Sequence, residues 1–322
     1  MALKTAHQYG YEIRAITTVF GNCSLDQVIK NVSKVRAACG MDLHTGPRIY
    51  RGCDDPIIKE FKMDAAYFHG KDGLGNNDFV DEDSGVLDDG NDAAGQLITI
   101  CREAKQCNAA VTLLTLGPLT NLAAAIKMDD NLVLSIDSLV IIGGCGNGHG
   151  NVRRTAEFNV AADPEAAAIV FDNLAAKSKI CTVVSWELTL ATPIPWEVFD
   201  ELNSTESAKR SRLNRFLREI STFSYCPGKR EPIPHFSIPG EHFNGAVVCD
   251  ALAMAVALNP EAMIRSSHTV NAEVELCGTL TRGQTVVDWG CYDGIIRPKN
   301  CNWVMEANNE AYIEMFKAIY DR

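Results

Sequence analysis

Apolar and polar positions follow two rhythms along this chain: short β-branched runs, and longer stripes that return every three to four residues. Residues 13–20 form the first short run and predict a strand. Ser24 then opens a helix, with Gln27 at the capping-box position and Val28, Val32 and Val35 on one stripe. Cys39-Gly40 closes it with a glycine where a left-handed residue is common. The same logic predicts helices over residues 92–104, 119–127 and 164–176, and strands over 109–116, 134–142 and 180–184. Near-continuous apolar strands separated by helices predict an α/β fold: a mostly parallel, Rossmann-like sheet with helices on both faces.

The last third changes character. Residues 196–224 predict one long charged helix, with Lys209, Arg210, Arg212, Arg215 and Arg218 on a solvated face. Residues 227–245 are rich in Pro and Gly and contain His235, Phe236, His242 and Phe243, the composition of a lid loop. Helix resumes over 245–258. Residues 270–276 and 284–289, joined through Gly278 and Gly283, predict a hairpin-like edge, and 303–320 a closing helix. No linker interrupts the pattern, so residues 1–322 read as a single domain. In such sheets ligands bind beyond the carboxyl ends of the strands. Asn22, Leu116-Gly117 and the 143–159 segment all fall there.

Composition narrows the partners. The 322 residues are 46% hydrophobic, and their net charge of −11 argues against a nucleic-acid backbone or an anionic membrane as partner. No apolar run approaches a membrane span. The acidic stretch 78–89 reads as a solvated loop. Twelve cysteines are scattered singly, without metal-ligand spacing, which suits reduced thiols and a cytoplasmic location. Met1 to His7 is too polar and short for a secretory signal. A dinucleotide-binding Gly-x-Gly-x-x-Gly, a phosphate-loop Lys-Ser/Thr ending and a Gly-x-Ser-x-Gly elbow are all absent.

Candidate chemistry concentrates in residues 156–165, Ala-Glu-Phe-Asn-Val-Ala-Ala-Asp-Pro-Glu, with Asn151 upstream. Amides and a carboxylate around one turn can hydrogen-bond the hydroxyls of a sugar. Three further segments join it: Ala-Ile-Thr-Thr-Val-Phe-Gly-Asn at 15–22, Leu-Gly-Pro-Leu-Thr-Asn at 116–121, and Val-Cys-Asp-Ala-Leu-Ala at 248–253. In this order and spacing they resemble the inosine-uridine nucleoside hydrolases, which cut the N-glycosidic bond of ribonucleosides. The resemblance implies substrate contacts from Asn22, Asn151, Glu157, Asn159 and Asp250. It implies calcium ligation by Asp250 and the Leu116 carbonyl, and a typically dimeric or tetrameric homo-oligomer. His69, in His-Gly-Lys-Asp-Gly-Leu-Gly, matches the family's His-Gly-x-x-Gly loop. His69, Asn159 and Cys249 are the catalytic candidates, Cys249 standing where some members carry a histidine that protonates the leaving base.

The resemblance also carries a departure. Family members open with a strand bearing Asp-x-Asp-x-x-x-Asp-Asp, which supplies further calcium ligands and the base that activates water. The present chain starts at Met1, just after the equivalent point, so the first strand is expected to be missing, with calcium held weakly or not at all. A sheet without that strand would expose apolar neighbours and unpaired backbone groups, giving reduced stability or self-association. Plainer roles compete for each residue. Glu157 can serve the helix dipole, Asn159 can cap a turn, Cys249 can simply pack, His69 can be structural, and Asp163-Pro164-Glu165 reads as an N-cap with Pro at the first helical position. The expected function is hydrolysis of ribonucleosides to ribose and free base, slow or absent in this form. A non-catalytic nucleoside-binding homologue, or a pseudoenzyme that binds a protein partner, is the alternative.

Overall fold

Short polar side chains at helix starts punctuate the chain. Ser24, Asp92, Asp163, Ser185, Ser204, Ser211, Asn259 and Asn308 each accept a hydrogen bond from a backbone N–H in the first turn of the helix they precede. A computed structural model describes residues 1–41, 45–59, 65–76, 92–225 and 244–321.

In chain order, the first elements are α1 (Ala2–Thr5), β1 (Ala15–Thr17), α2 (Leu25–Ala38), β2 (Arg48–Tyr50), α3 (Ala66–His69) and α4 (Ala93–Gln106). The middle holds β3 (Thr112–Thr115), α5 (Thr120–Met128), β4 (Ser138–Ile142), α6 (Phe158–Ala162), α7 (Pro164–Ala176), β5 (Cys181–Val184), α8 (Trp186–Ala191) and β6 (Ile194–Pro195). The last third holds α9 (Trp196–Leu202), α10 (Thr205–Arg210), α11 (Arg212–Ser224), β7 (Gly245–Ala246), α12 (Cys249–Leu258) and α13 (Pro260–Met263). It closes with β8 (Ile264–Val274), β9 (Thr285–Asp288), β10 (Cys301–Ala307) and α14 (Asn309–Lys317).

The main sheet runs β3-β4-β5-β10-β8-β9, with β3, β4, β5 and β10 parallel and β8 and β9 antiparallel. The α/β architecture therefore matches the periodicity, and the expected hairpin is β8–β9. One apolar cluster joins one face of the sheet to α4, α5 and α7. A second joins the other face to α11, α12 and α14.

Several expectations need correcting. The long helix expected over 196–224 is three helices, because Ser204 and Ser211 each stop one helix and cap the next. Lys209, Arg210, Arg212 and Arg215 are exposed there as expected, whereas Arg218 is half-buried. The closing helix expected over 303–320 is a strand and then a helix. Trp303 and Val304 are fully buried in β10, between β5 and β8, and Asn308 caps α14. The helix expected from Gly245 starts at Cys249, after Gly245–Ala246 pairs with Ile194–Pro195. In the 134–142 segment only Ser138–Ile142 is a strand, because Leu132–Ser135 forms a 3-10 turn. The expected lid at 227–245, with His235 and His242, and the acidic stretch 78–89 lie outside the described residues except for Asn244 and Gly245.

β1 and β2 form a separate parallel pair, tied to the main sheet through side chains. Asn121 Nδ2 donates to the Thr18 carbonyl at 2.9 Å, and its Oδ1 accepts from Cys53 N–H at 2.9 Å. Asp163 Oδ2 accepts from Thr120 Oγ1 at 2.7 Å and from Ile57 N–H at 3.2 Å. Gly52 permits this approach: a Cβ there would lie 2.1 Å from the Thr18 carbonyl oxygen and 2.2 Å from Asn121 Oδ1. Asn121→Ala leaves both backbone groups without that partner, at about 1–3 kcal/mol. Hydrogen exchange should accelerate around residues 15–20 and 48–53 while β4 and β5 stay protected. Equal acceleration everywhere would mean that Asn121 supports the whole fold instead.

Candidate functional site

A cavity of about 1930 Å3 runs along β1 and β3 and opens beyond the carboxyl ends of β1, β3 and β4. Its walls include Asn22, His69, Leu116, Asn151, Glu157, Asn159, Cys249 and Asp250, every candidate singled out from the sequence. Topology explains the convergence. Asn22 follows β1, Leu116 follows β3, Asn151 to Asn159 follow β4, and Asp250 lies in the first turn of α12.

Glu157 is the most constrained of them. It is the N-cap of α6, and its carboxylate accepts from Asn159 N–H at 2.9 Å and Val160 N–H at 3.3 Å. A third donor is Gly144 N–H at 2.9 Å, from the turn after β4. Gly144 has φ +76°, where L side chains are strained, and a Cβ on Gly143 would come within 3.1 Å of Glu157 Oε2. The two glycines thus let the strand end close over the carboxylate. Burial pushes Glu157 up to about 7 against the pull of those donors, and the nearby charge of Asp250 adds to the rise.

Asn151 Oδ1 accepts from Phe158 N–H at 2.8 Å, and Asn159 Nδ2 donates to the Ile142 carbonyl at 3.2 Å. Among the described residues the other end of each amide makes no hydrogen bond: Nδ2 of Asn151 is a donor and Oδ1 of Asn159 an acceptor. Asp250 stands open to the cavity, enclosed by protein around it, and loss of bulk solvent pushes its carboxyl up to about 6. Cys249 Sγ donates to Thr189 Oγ1 at 3.5 Å, and burial pushes the thiol up to about 12, so its proton stays bound at neutral pH. His69 packs edge-on against Phe68, with ring centroids 4.9 Å apart.

Aromatic residues that no sequence pattern announced complete the walls: Phe158, Trp186, Trp196 and Tyr225. Tyr225 Oη donates to the Val247 carbonyl at 2.7 Å, and its ring packs against Phe199 with centroids 4.8 Å apart. Faces of this kind suit a planar base.

For calcium, the candidates are the Asp250 carboxylate and the Leu116 carbonyl. A hard cation takes about six to eight oxygens. Among the described residues no cluster of three or more His, Cys, Asp or Glu side chains could hold a metal ion. These two residues alone do not make a calcium site.

Residues 1–314 match the model of the inosine-uridine preferring nucleoside hydrolase family. The inosine-uridine preferring nucleoside hydrolase of Leishmania major is 33% identical over 293 residues, covering 90% of this chain and 82% of that protein. The corresponding enzyme of Crithidia fasciculata is 31% identical over 294 residues, with the same coverage of 90% and 82%. A solved inosine-guanosine nucleoside hydrolase superposes with a TM-score of 0.83 at 27% identity, covering 99% of this chain and 93% of its own. A plant nucleoside hydrolase, at 23% identity and a TM-score of 0.78 over 99% of this chain and 94% of its own, shares the fold. No helix among the described residues is long and apolar enough to cross a membrane. With a family match across nearly the whole chain and the expected side chains around one cavity, the protein belongs to the inosine-uridine preferring nucleoside hydrolase family.

Proposed function

We propose that this pocket binds a ribonucleoside, its pentose among Asn22, Asn151, Glu157, Asn159 and Asp250 and its base against the aromatic walls. We further propose that the chain hydrolyses the N-glycosidic bond slowly. The observation that carries this reading is the polar cluster in the cavity: Glu157 gathers the N–H groups of Gly144, Asn159 and Val160, Asn151 accepts from Phe158 N–H beside it, and Asp250 lies near enough to raise Glu157. Asn151 offers a donor and Asn159 an acceptor, the complementary pair that vicinal hydroxyls require. Breaking a ribosyl–base bond builds positive charge on the sugar, which the Asp250 and Glu157 carboxyls would stabilise when ionised.

Two jobs are poorly staffed. Activating water needs a base beside it, and Glu157 is occupied by three backbone donors. Helping the base leave needs an acid, and a thiol held near 12 parts with its proton reluctantly. These observations also favour a second reading, a nucleoside-binding homologue without catalysis. Chromatography separates the two: release of hypoxanthine from inosine above an enzyme-free control supports hydrolysis, and bound but intact inosine supports the silent homologue.

Binding tests the pocket itself. Asn151→Ala or Asn159→Ala should each weaken inosine or uridine about tenfold by calorimetry, the loss of roughly one hydrogen bond. Unchanged affinity in both variants would place the sugar elsewhere. Calcium should titrate this chain only near millimolar concentrations, because two protein positions supply few oxygens. A micromolar calorimetric midpoint would contradict that expectation.

The carboxyls give a pH test. Glu157 lies near 7 in the folded chain against an ordinary value of 4.5, and Asp250 near 6 against 3.8. Both hold their protons more tightly folded than unfolded. Their contribution to stability is thus complete below the unfolded values and is lost as pH rises through the folded ones. Glu157→Gln should flatten the decline in urea midpoint between pH 5 and 7 by an amount worth up to about 3 kcal/mol, whatever its constant offset. An identical slope in the variant would show that Glu157 does not titrate there.

A further inference from the structure

Between β4 and the residues that face the sugar runs Gly-Gly-Cys-Gly-Asn-Gly-His-Gly-Asn, residues 143–151, with five glycines in nine positions. Its two ends, Gly143 and Asn151, border the cavity, and among the described residues 144–150 do not. Two contacts that prepare the pocket depend on this stretch. Gly144 N–H donates to Glu157 Oε2 at 2.9 Å, and Asn151 Oδ1 accepts from Phe158 N–H at 2.8 Å. Glycine loses more backbone freedom on folding than any other residue. A stretch of this composition does not hold an amide in place by itself, and its middle needs an anchor.

The start of α8 supplies one. Glu187, in the first turn of that helix, accepts from Gly146 N–H through Oε1 at 2.8 Å. One residue earlier, Trp186 N–H donates to the Gly144 carbonyl at 2.9 Å. Three successive peptide groups are thus held in turn, by Glu157, by Trp186 N–H and by Glu187. Cys145, between them, is fully buried, and its Sγ donates to the Thr155 carbonyl at 3.2 Å. Gly146 is also closely packed: a Cβ there would lie 3.0 Å from Trp289 Cζ2, 3.1 Å from Trp303 Cζ2 and 3.3 Å from Glu187 Oε1.

Glu187 works from behind the pocket. Trp186 and Leu190 of α8 border the cavity, and Glu187 is not among its described lining residues. Its second oxygen, Oε2, is buried and makes no hydrogen bond among the described residues. A carboxyl oxygen kept dry and unpaired costs stability, so the gain from this side chain lies in the peptide that it holds. We infer, on the basis of the proposed ribonucleoside pocket, that Glu187 is a positioning residue for it. By fixing Gly146 N–H, Glu187 sets Gly144 N–H against Glu157 and steadies the stretch that delivers Asn151. The plain alternative is a carboxylate that serves the α8 dipole from its first turn. Charge and reach separate the two roles. A dipole needs negative charge near the helix start, which aspartate supplies as well as glutamate. The anchor needs an oxygen at full reach, which glutamine supplies and aspartate, one methylene shorter, does not.

The test compares Glu187→Ala, Glu187→Asp and Glu187→Gln with the unaltered 322-residue chain, by hydrogen exchange and by inosine calorimetry. Exchange at Gly144 and Gly146 should accelerate about tenfold in the Ala and Asp variants and keep its unaltered rate in the Gln variant. Inosine should bind about tenfold more weakly to the first two and normally to the third. Amides from Leu252 to Val256 in α12 should keep their rates throughout, which separates a loosened turn from a weakened fold. Rescue by Asp but not by Gln overturns the proposal in favour of the dipole role. Equal acceleration in α12, or faster exchange at Gly144 with undiminished inosine affinity, overturns it as well. An unaltered chain that binds no inosine overturns the pocket itself, and the role of Glu187 falls with it. An unaltered chain that binds, with Ala and Asp variants that bind equally well, overturns the role of Glu187 alone.

Discussion

Backbone polar groups taken out of water must find partners, and that single demand organises this molecule. It sets the main sheet, where β10 lies between β5 and β8 and uses both of its edges. Where the sheet ladder cannot serve, buried side chains substitute. Asn300, 1% exposed, donates to the carbonyls of Phe171 and Ala272 and accepts from Ala272 N–H. Asn121 does the same between the two sheets, and Glu157 gathers three N–H groups where β4 ends and α6 begins.

The same demand sets the direction of the amides that border the cavity. Asn151 and Asn159 each commit one end of their amide to the backbone, which fixes the direction of the other end. A side chain held this way loses little rotamer freedom when a hydroxyl arrives. The plain roles weighed against Glu157 and Asn159 are therefore present in the structure and leave room for the proposed sugar contacts. Capping is how the pocket is pre-arranged.

Much of this was legible in the sequence because it depends on local rhythm. Capping residues, β-branched runs and the β8–β9 hairpin declare themselves within a few residues, and motif spacing brought Asn22, Leu116, the 151–159 segment and Asp250 to the cavity. The failures share a cause. Cys301 to Ala307 is as compatible with helix as with strand, and only pairing with β5 and β8 decides it. Ser204 and Ser211 are ordinary polar positions within a helical pattern, and only the folded chain makes each the cap of a new helix. β2, three residues long, carries too little pattern to be seen, and the aromatic walls come from residues with no common spacing.

Charge completes the argument about chemistry. The cavity holds two carboxyls whose protons are retained toward neutral pH and one thiol that stays protonated, and each rise is led by loss of solvent. Asp250 further raises both Glu157 and Cys249, so each charge that forms there makes the next one costlier. A site of that kind favours whatever brings positive charge, whether a cation or a sugar on its way to an oxocarbenium ion.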